Sequence, residues 1–180
     1  MTVSTVKSVN ITNIELLPSS PLVRKLGSKR VVFDKIALET TSIDEIGDIV
    51  LLGSVPSNAV ILSIKIFNDD LDAHATPLLA SDVGLYYSGK GGNQIANGKT
   101  SGTVIDADCF SSAITTLQAA NVTGVELRFE ADPIENIGDE AWAIGGLASD
   151  PGGLFYIGLT ITAAAATAAA GDVVLVVEYI

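Results

Sequence analysis

The chain repeats one pattern along its length: a short β-branched apolar run, a cluster of Gly, Pro, Asn or Asp, then another run. Such a pattern predicts strands joined by tight turns. β-Branched side chains suit a pleated surface, and Gly, Asn and Asp supply turn backbone. Predicted strands cover 30–39, 48–52, 59–67, 77–87, 125–130, 141–147, 154–162 and 173–180. In 125–130 the alternation places Val125, Leu127 and Phe129 inward and Glu126, Arg128 and Glu130 outward. Residues 53–58 read as a turn and 88–102, rich in Gly, Asn and Lys, as a mobile surface loop. One helix is expected at 108–120, where Phe110, Ala113, Ile114, Leu117 and Ala120 follow helical spacing and Asp106 or Asp108 can cap the first turn. The alanine-rich 163–170 is too short for an isolated helix and reads as a loop. The sum is an all-β fold of about eight strands, an antiparallel sandwich or jelly-roll-like domain over 29–180.

Residues 1–28 read differently. Val3, Val6, Val9, Ile11 and Ile14 alternate loosely before Pro18 and Pro21, which interrupt both helix and ladder. This predicts an extended N-terminal arm that pairs with the body or with a partner. The charge divides at nearly the same place. Residues 1–35 carry six basic and two acidic side chains; the rest carries four and nineteen, within a net charge of −11. The basic set Lys7, Arg24, Lys25, Lys29 and Arg30 is the candidate docking contact for an acidic partner surface. It is sparse and lacks interleaved aromatics, and the acidic body repels phosphate, so nucleic acid is not an expected partner.

Charged residues make up only 17% and mean hydropathy is +0.45. No run reaches the roughly 18 apolar residues of a membrane span. The surplus apolar surface instead points to contact between copies. The N-terminus lacks the apolar stretch of a signal peptide, and the lone Cys109 reads as a buried inert thiol, consistent with synthesis in a reducing cytoplasm.

Little of the chain suggests chemistry. Asp69, Asp70 and Asp72 could hold a hard cation such as Ca2+ through oxygen ligands, but the spacing is not that of an EF-hand and equally describes a self-capped turn. His74 has no nominated catalytic partner. The stretch 89–92 lacks the spacing of a phosphate loop. Asp132, Glu135, Asp139 and Glu140 form an acidic loop, two members of which could in principle serve glycoside chemistry. Trp142 and Tyr156, or the Tyr86-Tyr87 pair, could offer a sugar platform, though aromatic residues more often anchor cores. No catalytic residue and no cofactor is expected.

Val55-Pro56, the strand after it, Asn68-Asp-Asp-Leu-Asp72 and Ser81-Asp-Val-Gly-Leu-Tyr86 together resemble small structural proteins of tailed-bacteriophage virions. So do Ala141-Trp142, Phe155-Tyr-Ile-Gly-Leu-Thr-Ile-Thr162 and the closing Val-Val-Glu-Tyr. The resemblance covers about 48–180 and is to the capsid decoration (cement) or head-fibre type. It implies a non-enzymatic β-sandwich on the capsid exterior, made in the host cytoplasm, often a homotrimer, with the major capsid protein as partner. The alternative it leaves is a tail, fibre or baseplate module binding host-surface glycan.

Overall fold

The computed structural model describes residues 5–7, 11–12 and 28–180. The strands are β1 Thr5–Lys7, β2 Arg30–Leu38, β3 Ile49–Pro56, β4 Ile61–Asn68, β5 Ala80–Tyr87, β6 Val104–Ile114, β7 Asn121–Glu126, β8 Leu154–Ala163 and β9 Gly171–Tyr179. They form two sheets, ordered β1-β3-β8-β5-β6 and β2-β9-β4-β7. β1 runs parallel to β3; every other pairing is antiparallel.

The two sheets press their apolar faces together as a sandwich. β9 shows why the pleat demands it. Val173, Leu175, Val177 and Tyr179 are buried, while Val174, Val176 and Glu178 on the opposite face are only half-buried. Ile64 and Ile66 of β4, Val50, Leu52 and Val55 of β3, and Ile157, Leu159 and Ile161 of β8 complete the core. β8 is buried on both faces. Leu51, Tyr86 and Tyr156 form a second cluster on the outer side of the five-stranded sheet, closed by Ile11, which is fully buried. Tyr86 Oη lies 2.6 Å from Thr160 Oγ1 within that layer.

Several local expectations give way. The stretch expected as a helix at 108–120 is the end of β6 followed by a single 3-10 turn, Thr116–Gln118. Three register shifts against β5 break the period of two, so Phe110, Ile114 and Leu117 become buried at intervals that mimic a helix. β6 is drawn tight over β5. A Cβ on Gly84 would stand 2.1 Å from the Asp106 carbonyl oxygen, so only glycine fits there. The expected strand at 141–147 is a one-turn helix, Ala141–Ile144, with Gly145 N–H donating to Ala141 O. The alternation read into 125–130 also fails: Val125, expected inward, is 38% exposed, and β7 ends at Glu126. Leu127 is buried, Phe129 is 41% exposed, and Arg128 is wholly buried. β3 continues through Gly53, at a bulge, as far as Pro56, leaving only a short turn where 53–58 was expected. Residues 164–170 form the expected loop.

Candidate interaction surface

The residues nominated for chemistry are taken up by the fold. Asp72 is buried, and its carboxylate accepts backbone N–H bonds from Leu78 (2.7 Å), Leu79 (3.0 Å), Ala166 (3.0 Å) and Thr167 (2.9 Å). Burial acts to raise its pKa, but these four donors hold it well below the usual carboxylate range. Asp69 accepts from Asp172 N–H at 2.9 Å, and Asp70 from Asp72 N–H at 3.1 Å. The three carboxylates thus serve three separate sets of backbone donors. Among the described residues no group of three or more His, Cys, Asp or Glu side chains is placed to hold a metal ion. His74 closes a local turn with Thr76.

Two members of the acidic loop are likewise engaged, while Glu135 and Asp139 are exposed. Asp132 pairs with Arg128 and accepts from Asn136 Nδ2 at 2.7 Å. Glu140 accepts from Trp142 Nε1 at 2.6 Å. Tyr86 and Tyr156 are fully buried and Tyr87 nearly so, so these three rings do not form an exposed stacking platform. Cys109 is packed against the core and burial pushes its thiol pKa up. Of the basic set, Lys7 lies on β1, Lys29 pairs with Glu178 at 2.5 Å, and Arg30 opens β2 opposite Tyr179. Arg24 and Lys25 lie outside the described residues.

Two buried polar side chains escape sequence reasoning. Arg128 donates through Nε to Ile61 O at 3.2 Å, pairs with Asp132, and lies 4.6 Å and 5.3 Å from the ring centres of Phe129 and Phe110. It fastens the 127–139 segment to β4 and β6. An Asp four residues after an Arg was the available signal. Gln94 is fully buried in the glycine-rich 88–102 loop. Its Nε2 donates to Gly152 O (2.8 Å) and Leu154 O (2.9 Å), and its Oε1 accepts from Ser88 Oγ (3.2 Å) and Gly89 N–H (3.1 Å). The loop expected to be mobile is therefore pinned to the 150–153 turn.

Part of what the fold leaves outside is apolar. The outward positions of the four-stranded sheet include Val31 and Phe33 on β2, Val174 and Val176 on β9, Phe67 on β4 and Val122 on β7. Phe33 is 65% and Val122 85% exposed. In register, Phe33 lies opposite Val176 and Phe67 opposite Val174. Phe67 lies across Gly124, where an added Cβ would stand 2.6 Å from the ring. An open groove of about 430 Å³ runs over the two valines between the two phenylalanines. Ion pairs flank it: Lys29 with Glu178, and Lys35 with Asp172 at 2.5 Å.

A scan against protein-family models finds no match, and neither does a search of curated proteins. Among solved structures, the chain is similar to one in the capsid of Ralstonia phage GP4. That match has a TM-score of 0.67 at 24% identity, over 98% of this chain and 97% of that one. It is also similar to a chain in the capsid asymmetric unit of cyanophage Pam1, at a TM-score of 0.53 and 18% identity, over 92% and 94%. At these identities the likeness establishes a shared fold.

Proposed function

We propose that this chain is a non-enzymatic decoration (cement) protein of a tailed-bacteriophage capsid. It binds the outer surface of the mature head, bridges subunits of the major capsid protein, and acts with further copies of itself as a homotrimer. The observation that carries the reading is the end-to-end fold match to chains of two phage capsids, with almost no unmatched length on either side. The use of Asp69, Asp70 and Asp72 as backbone caps and of Asp132 in a buried pair supports a structural role.

A bridging protein stabilises a shell by linkage. Whatever binds only the closed state raises the cost of opening, and many weak contacts add through multivalency. The acidic body would face solvent and keep particles apart. The basic residues Lys7, Arg24, Lys25, Lys29 and Arg30 are the proposed docking contacts, with the charge of Lys29 already matched by Glu178.

The test is to add purified protein to heads that lack it and to measure bound copies and the temperature at which the shells open. Saturation at a number of copies comparable to the capsid subunits, with a higher opening temperature, is the expected result. Binding at a handful of sites, or none, overturns the reading.

A further inference from the structure

Resting on the capsid reading, we infer that the chain docks on the major capsid protein end-on. The docking surface is the end of the sandwich that gathers 88–102, 127–144 and 150–153, and the opposite, acidic end points to solvent. β2 and β4 begin at the docking end and β9 finishes there; β3 also finishes there and β8 begins. Backbone bonds draw the connections together. Ser57 N–H donates to Gly153 O at 3.0 Å and Trp142 N–H to Ser57 O at 2.9 Å, while Val60 forms a bridge with Glu140. Three large aliphatic side chains stand exposed on the segments so gathered: Ile95 (67%), Ile134 (77%) and Ile137 (57%).

These side chains are carried on segments fixed in advance. Gln94, next to Ile95, ties its loop to Gly152 and Leu154, and the buried Arg128–Asp132 pair anchors the segment that bears Ile134 and Ile137. A glycine-rich loop and a long connection would otherwise lose much conformational entropy on meeting a partner. Holding them in place beforehand removes most of that cost, which is how a preorganised contact gains affinity.

Charge separates the two ends. The connections at the opposite end, 39–48, 69–79 and 164–170, carry seven carboxylates and no Lys or Arg. Ile46 and Leu78 are exposed there, but among those acids. The docking end instead mixes Lys29, Arg30, Lys90 and Lys99 with the acids of 130–150. Apolar side chains among charges of both signs suit a protein surface with apolar contacts and a polar rim. Pointing the acidic ends outward sets like charge between neighbouring particles.

The experiment places a bulky group at each end and measures binding to heads that lack the protein. Ile95→Cys, Ile134→Cys and Ile46→Cys, all at exposed positions, are each coupled to a maleimide polyethylene glycol of about 5 kDa. Each is compared with its own uncoupled form, and wild type treated alike controls for Cys109. Coupling at 95 or 134 should weaken binding at least tenfold, and coupling at 46 should leave it unchanged. Unchanged binding after coupling at both 95 and 134 overturns the inference, as does equal weakening at 46; in either case the uncoupled protein still binds and the capsid reading stands. Heads that take up no uncoupled protein overturn that reading, and the docking end with it.

Discussion

Replacing Asp72 by Asn tests whether this carboxylate is a backbone clasp. Oδ2 accepts three N–H bonds, from Leu78, Leu79 and Ala166, and Oδ1 accepts one from Thr167. An asparagine oxygen in place of Oδ2 keeps three bonds but makes them neutral, at a cost of about 1 kcal/mol each. Its amide then faces Thr167 N–H, donor against donor, for a further 1–3 kcal/mol or so. The expected loss is about 4–6 kcal/mol, which lowers Tm by roughly 10–20 °C for a domain of this size. The pH dependence has a definite sign. The folded pKa lies below the unfolded value of about 3.9, so the contribution is fully present above about pH 4 and is lost as pH falls through the folded value. Thermal melts by circular dichroism between pH 2.5 and 7 should therefore show a flatter acid limb for Asp72→Asn than for wild type. Adding calcium or a chelator should leave Tm unchanged, because N–H donors occupy the lone pairs. A variant melting within 2 °C or so of wild type, with the same acid limb, would refute the clasp.

Arg128→Ala strands Asp132 in a buried site and should cost about 3–5 kcal/mol by urea unfolding. Gln94→Ala leaves the Gly152 and Leu154 carbonyls and the Gly89 N–H without this partner; a loss of about 2–3 kcal/mol and faster proteolytic cutting within 88–102 should follow. Ile11→Ala opens a void over Leu51, Tyr86 and Tyr156 and should lower stability by about 2–4 kcal/mol in the same unfolding assay. Cys109 should react slowly with a thiol reagent at pH 8 in the folded protein and at the ordinary rate in denaturant, since burial raises its pKa.

The sequence announces strands where one face alternates cleanly or where a run is buried on both sides, as in β9 and β8. It misleads where the ladder slips. β6 pairs with β5 through three register shifts, and Ala113 turns the chain at φ +50°, so the apolar spacing of 110–117 imitates a helix. Arg128, hinted at only by the Asp four residues on, and Gln94, not hinted at, escaped for a different reason. Their burial is repaid by Asp132 in one case and by carbonyls about 60 residues away in the other, and residue type alone says nothing of such partners. The apolar outer face was visible only as surplus hydropathy. Locating it required knowing that β9 lies between β2 and β4.

That placement of β9 has a kinetic consequence. It separates β2 from β4, and its first neighbour, β2, pairs Arg30 with Tyr179 across nearly the whole described chain. Until residues 171–179 are available, β2 has no ladder to join and β4 can pair only with β7, and the apolar sides of both lie open. Closing so large a loop before any contact rewards it is slow, and the unfinished sheet is prone to pair with the wrong chain. The four-stranded sheet of such a chain is therefore completed late, with the strand that joins its two parts acting as its keystone.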